Sequence, residues 1–229
     1  MRITRFGDAA LLVEFGHTID VLVNIQVLAA AEIVNQARVP GVRDVVPAYG
    51  SFAVHFDPLR TDVPVLREVV ARAVTAAPPR IEQGRMGPIE IPVCYGGRFG
   101  PDLGAVAAWA GMDPHHVIDV HASREYRVFM LGFLPGFPYM ATVDERIAMP
   151  RRETPRTRVA AGSVGIAGPQ TGVYSFDSPG GWQIIGRTPL ALFDSRNEPP
   201  ALLTPGQRVR FRSVSSLEFD AMRRADGSR

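Results

Sequence analysis

The chain of 229 residues contains no lysine; all 25 of its basic residues are arginine. That absence excludes a Schiff-base lysine, a biotinyl lysine and the phosphate-gripping lysine of a Walker-type loop. A GC-rich genome accounts for the bias, and the exclusions hold whatever its cause. Cysteine is nearly as scarce. The single Cys94 rules out an internal disulfide and a cysteine-rich metal site. No H-x-x-x-H, H-x-x-E or C-x-x-C pair occurs, so no metal or other cofactor is expected on this chain. No apolar run approaches the ~18 residues of a membrane span. The opening run MRITRFGDAALLVEF alternates like a strand and lacks a signal peptide's apolar core. A formal charge of +2 gives no argument for nucleic acid. What remains is a cytoplasmic globular protein of ordinary composition, 46% hydrophobic and 21% charged.

The first part of the chain has a readable order of elements. Ala9–Phe15 is a strand, and Ile19–Ala37 has the length and spacing of a helix, with Asp20 near its start and Pro40-Gly41 closing it. Val42–Ala48 and Phe52–Phe56 are strands joined by Tyr49-Gly50-Ser51. Thr61-Asp62 caps a second helix, Pro64–Ala76, with Val65, Val69, Val70 and Ala73 on one face. With a strand at Ile89–Val93, the order is the βαββαβ of a ferredoxin-like sandwich. A looser α/β layer using a strand at Ile3–Phe6 fits equally. The run APPRIEQGRMGP, rich in proline and glycine, marks a boundary. We expect an N-terminal α/β domain over 1–80, a linker over 81–88 and a second domain over 89–229.

The second domain differs in kind. A helical stretch, Asp102–His121, is broken by Gly111 and Pro114. Short strands divided by glycine and proline follow, at 126–133, 164–167, 172–175, 183–186, 190–193 and 207–211, with a terminal helix over 217–224. Such a pattern predicts a β-barrel or sandwich, so the overall class is α+β.

Chemistry concentrates between Leu131 and Pro189. Seven glycines lie between Gly162 and Gly186, in segments that still carry the apolar residues of strands. Glycine is retained where backbone turns sharply or approaches something closely. Between Pro150 and Pro189, Arg151, Arg152, Arg156, Arg158 and Arg187 stand against only Glu153 and Asp177. Arginine forks beside unobstructed backbone N–H groups suit an anion, carboxylate or phosphate.

Individual candidates have ordinary alternatives. Ser163 sits one residue off a G-x-S-x-G elbow, but a strand follows where the elbow needs a helix, which favours a turn serine. His121 can act as acid or base near neutrality, or simply close a helix. His115-His116 follows Asp113-Pro114 at a helix start and reads as solvated. Arg208, Arg210 and Arg212 share one strand face opposite Val209 and Phe211, as a solvated edge would. Phe133, Phe137, Tyr139, Tyr174 and Trp182 surround the glycines, either as core beneath turns or as the wall of a cleft. Gln170, Thr171 and Ser178 are small polar groups able to orient an amide or carboxylate, and Arg187 offers a cation.

Four runs make the chain recognisable: YRVFMLGFLPGFPY (126–139), PRRETPR (150–156), AGSVGIAGPQTGVY (161–174) and SPGGWQIIGRTP (178–189). With GDAALLVEF near the N-terminus and PGQRVRF at 205–211, they resemble one family over nearly the whole chain. That family comprises the B subunit of 5-oxoprolinase, also called allophanate hydrolase subunit 1, and a related sporulation-kinase inhibitor. The module recurs in the carboxyltransferase part of urea carboxylase. The resemblance implies a small N-terminal α/β domain, a cyclophilin-like β-barrel and a partner, the C subunit of the same enzyme. Together with the A subunit, the complex would open 5-oxoproline to glutamate using ATP bound outside this chain. It implies a cleft lined by His121, Tyr139, Arg156, Ser163, Gln170, Tyr174, Trp182 and Arg187. In it arginines hold substrate charge, Gln170 and glycine N–H groups polarise a carbonyl, and His121 carries the proton. The inhibitor branch implies instead a grip on a sensor histidine kinase. A carboxyl-transfer role would need biotin from another chain. The sequence departs from the family pattern at Ala160, Pro169, Ser175 and Ala141-Thr142-Val143, all within these loops.

Overall fold

A computed structural model describes residues 1–77 and 87–226. The chain divides into two compact units, Met1–Arg85 and Met86–Arg229. Of the linker expected at 81–88, residues 81–86 lie outside the described residues.

Unit one consists of β1 (Arg2–Arg5), β2 (Ala10–Glu14), α1 (Val21–Gln36), β3 (Val42–Pro47), β4 (Ser51–Phe56) and α2 (Val63–Ala76). Its sheet is antiparallel in the order β1-β2-β4-β3. Asp20 starts α1 by accepting the Leu22 and Val23 N–H groups at 2.7 and 3.0 Å, satisfying donors a helix start leaves open. Asp62 accepts from Val65 N–H at 3.3 Å at the start of α2. Val27, Ala30, Ala31 and Val34 recur at helical spacing and bury against Leu11, Val13, Phe52, Val54 and Phe56 of the sheet. Each of these large side chains contributes roughly 1.5–3 kcal/mol on leaving water. Two details differ from expectation. The buried stripe of α2 is Leu66, Val70 and Ala73, and Val65 is exposed. The element order is ββαββα rather than a ferredoxin-like βαββαβ; the layer that uses the N-terminal strand is the one formed.

The reason is that the strand at 89 pairs elsewhere. Unit two contains β5 (Ile89–Tyr95), α3 (Leu103–Ala110), α4 (Pro114–Ala122), β6 (Glu125–Leu131), β7 (Pro138–Ala141), a 3-10 turn (Glu145–Ile147), β8 (Arg156–Val159), β9 (Ser163–Ala167), β10 (Gln170–Val173), β11 (Ser178–Gly180), β12 (Gln183–Arg187), β13 (Arg208–Ser213) and α5 (Ser216–Asp226). Seven strands close a barrel in the order β10-β7-β6-β13-β5-β12-β9. β5 runs parallel to β13, with Ile89 opposite Val209, and antiparallel to β12. Ile91, Val93, Val128, Val164, Val173, Ile185 and Phe211 fill the interior. β8 and β11 form a separate two-stranded ladder. The expected strand at 190–193 reduces to one bridge between Phe193 and Ala201. The RVRFR alternation holds, with Val209 and Phe211 buried and Arg208 and Arg210 paired with Glu125 at 2.9 and 2.7 Å, but the strand is not the expected edge: β13 is paired with β5 on one side and β6 on the other.

Candidate functional site

The β8–β11 ladder sets Arg156 opposite Gly180 and Val159 opposite Ser178, which carries the PRRETPR run to the SPGGW run. Beneath it lies a small apolar cluster of its own: Phe137, Val159, Tyr174, Trp182 and Ile184, with Tyr139 partly buried against them. The Phe137 ring centre lies 4.8 Å from that of Tyr139, 5.2 Å from Tyr174 and 5.5 Å from Trp182. These tilted and edge-on contacts are the favourable geometry for ring quadrupoles. Most of the aromatics are therefore floor. Phe133 is the exception, 61% exposed with φ of 66°, its ring edge-on to Phe137 and Tyr174. A left-handed φ is uncommon for a bulky residue, so the tight GFLPGF turn holds this one in place.

Two adjacent glycines let side chains lie flat on backbone. A Cβ at Gly180 would collide with the Tyr174 hydroxyl, and one at Gly181 would sit 3.2 Å from an Arg151 guanidinium nitrogen. The Arg152 N–H donates to the Gly181 carbonyl at 2.7 Å and pins the two runs together.

The charge here is lopsided. Asp102 is buried, and its Oδ2 accepts the Ile184 N–H at 2.6 Å. Its Oδ1 accepts from Arg156 at 2.5 Å and from Arg152 at 3.5 Å. Two arginines thus share one carboxylate, and Arg152 Nε and Arg156 Nη1 are buried with no hydrogen-bond partner among the described residues. Burial raises the pKa of the Tyr139 and Tyr174 hydroxyls, with the nearby Arg151 charge opposing it, so both are neutral phenols near neutral pH. A cation-rich rim over an aromatic floor is suited to a small organic anion.

The other expected residues sit on barrel strands β9, β10 and β12 and on α4. Ser163 is buried on β9 opposite Arg187 on β12, and Arg187 Nε donates to the Ala161 carbonyl at 2.7 Å. Burial, and next the charge of Arg223, lower the Arg187 pKa. Gln170 begins β10, the end opposite Tyr174, facing Ala141 and Ala167 across the sheet. His121 is fully buried and stacks on Phe211 with ring centres 4.7 Å apart. Its Nδ1 lies 2.8 Å from the Tyr95 hydroxyl and its Nε2 3.1 Å from Thr171 Oγ1. Thr171 spends its own hydrogen on the Gly165 carbonyl at 3.0 Å, so it accepts from His121 Nε2–H, and Nδ1 accepts from Tyr95. Desolvation lowers the imidazole pKa to about 3. Both ring nitrogens are engaged.

The site therefore gathers Tyr139, Arg156, Tyr174 and Trp182; Ser163, with Arg187 opposite it, joins Tyr174 through backbone, its carbonyl accepting the Tyr174 N–H at 2.9 Å, while Gln170 starts β10 and His121 is held inside the barrel core. It also includes two residues that sequence reasoning missed. Arg151 stands out in the sequence only as one of five arginines. Asp102 stands before a helix and reads as a cap, yet its side chain makes no cap bond. Among the described residues no cluster of His, Cys, Asp or Glu could hold a metal ion, and no helix is long and apolar enough to cross a membrane.

Residues 1–203 match the model of the carboxyltransferase domain, subdomains C and D. The B subunit of 5-oxoprolinase from Bacillus subtilis is 44% identical over 96% of this chain and 95% of that protein. The chain belongs to this family. Among solved structures, TTHA0988 superposes with a TM-score of 0.80 at 40% identity, covering 90% of this chain. This chain spans only 40% of that longer one. The conserved uncharacterized protein PH0987 of Pyrococcus horikoshii is 44% identical, covering 95% of this chain and all of that one, with a TM-score of 0.57. The matched range, residues 1–203, includes the loops that carry the cation-rich cluster.

Proposed function

We propose that the chain is the non-ATP-binding subunit of a 5-oxoprolinase-type amide hydrolase. It acts with a C subunit as partner, and with an A subunit that handles ATP, to open 5-oxoproline to glutamate. The observation that carries this reading is the cluster at Tyr139, Arg156, Tyr174 and Trp182, a cationic rim on an aromatic floor within a chain so similar to the 5-oxoprolinase B subunit over its whole length. A substrate with a flat ring and a carboxylate matches both halves of that surface. The lack of lysine agrees with placing ATP chemistry outside this chain. His121, with both nitrogens engaged, is on this reading a structural pin rather than the proton carrier. Gln170 and Arg187 remain the candidates for polarising a carbonyl, where loss of one such donor costs about 10²-fold in rate.

The test is purification of the chain with its partner subunits and assay of ATP-dependent glutamate release from 5-oxoproline. Turnover requiring this chain supports the proposal. One observation favours a second reading: exposed Phe133 on the GFLPGF turn offers an anchor for a helical segment of a sensor histidine kinase. Absence of turnover together with suppressed kinase autophosphorylation selects it.

A further inference from the structure

Three arginines, Arg151, Arg152 and Arg156, lie at the β8–β11 end of unit two, and among the described residues the one buried acid paired with any of them is Asp102. Arg152 and Arg156 divide that carboxylate between them. Arg151 has neither an ion pair nor a hydrogen bond among the described residues, and Glu153 on the same loop pairs with none of the three. A lone exposed arginine is ordinarily just solvated. This one differs in where it rests. Its guanidinium lies on the bare backbone of Gly181, close enough to the Tyr139 and Tyr174 hydroxyls to act on their ionisation. Its loop is tied down by the Arg152-to-Gly181 hydrogen bond. The glycine pair keeps side chains away from the fork, so an anion can meet it edge-on.

We infer that Arg151 is the specificity residue that binds the carboxylate of a small monocarboxylate substrate, with the uncharged body of that substrate against Tyr139. A guanidinium offers two parallel N–H groups that match the two oxygens of one carboxylate. The buried donors of Arg152 and Arg156 keep the surroundings positive, which favours an anion over its neutral amide. The inference rests on the reading that this cluster faces substrate, and it names a residue and a ligand group that reading leaves open.

The experiment uses the complex of this chain with its partner subunits and compares wild type with R151A and R151K. Glutamate release is followed against 5-oxoproline concentration, and binding of 5-oxoproline and of its uncharged carboxamide is measured by calorimetry. R151A is expected to raise KM roughly 10–100-fold, the range of a charge-assisted hydrogen-bond pair, with kcat changed far less. R151K should recover only part, since it restores the charge but not the fork. Wild type should prefer the acid over the carboxamide, and R151A should erase that preference. An R151A complex that keeps the preference, or a wild type that shows none, overturns the inference. If wild type turns over no 5-oxoproline but binds benzoate or acetate in an Arg151-dependent way, the hydrolase reading fails and the carboxylate site stands.

Discussion

Asp102 and Arg156 form a largely buried ion pair, Oδ1 to Nη2 at 2.5 Å, joining the start of α3 to the edge of β8. The other Asp102 oxygen holds the Ile184 N–H, so one carboxylate ties three segments of unit two together. D102N keeps the shape and removes the charge, leaving Arg156 and Arg152 without a counter-ion. The expected cost is roughly 1.5–3 kcal/mol, the range for hydrogen bonds to charged groups. Urea denaturation of D102N against wild type measures it. A change under about 0.5 kcal/mol, no larger than that of an ordinary surface substitution, would show that the pair holds nothing together.

His121 gives a signed pH dependence. Its imidazole is held neutral inside the barrel, with pKa lowered to about 3 by burial, while in the unfolded chain it titrates normally. The unfolded state therefore binds a proton that the folded state refuses, and stability falls as pH drops below the ordinary histidine value of about 6.5. The slope from this one residue approaches about 1.4 kcal/mol per pH unit. Its ring neighbours Tyr95 and Tyr126 have phenol pKa values raised by burial and stay neutral throughout. H121Q should lose that slope between about pH 6 and 5, whatever its absolute stability. Parallel stability–pH curves for wild type and H121Q would contradict a neutral buried imidazole.

Ser175 is buried, and its hydroxyl has no hydrogen-bond partner among the described residues. A buried unsatisfied hydroxyl costs about 1–3 kcal/mol, so removing it with S175A should raise stability. Thermal melting tests this directly. Destabilisation by S175A would mean that the hydroxyl is satisfied in solution.

The elements with strong local signals are legible in the sequence. Asp20 and Asp62 announce their helices, and RVRFR announces its two faces. The failures share a cause. The short strands β7, β8 and β11 carry proline, glycine and arginine, and only pairing across the chain makes them strands. The stripe of α2 reads onto Val65 because valine is apolar, while Leu66, one step round the helix, faces the core. In the site, Tyr139, Arg156, Tyr174 and Trp182 converge because β8 finds β11, a long-range event no spacing encodes. Gln170 and Tyr174 are close in sequence, yet Gln170 starts β10 and Tyr174 follows its far end. Asp102 escapes notice because an aspartate before a helix has a sufficient local explanation.

Gly180 and Gly181 are adjacent, have no left-handed φ, and should respond differently to alanine. At Gly180 the new methyl meets the Tyr174 ring, with Cζ at 2.8 Å, and that ring is fully buried and edge-on to Phe137. It cannot swing away, so G180A should cost about 1–3 kcal/mol as an overpacked core does. At Gly181 the methyl meets only the far end of Arg151, at 3.2 Å, and a long, flexible side chain can yield. G181A should therefore leave the denaturation midpoint nearly unchanged while lifting the guanidinium off its backbone seat and weakening carboxylate binding. Measuring both quantities in both variants separates packing from recognition. If G181A matches wild type in stability and in its preference for acid over carboxamide, the seat of Arg151 on Gly181 has no part in binding.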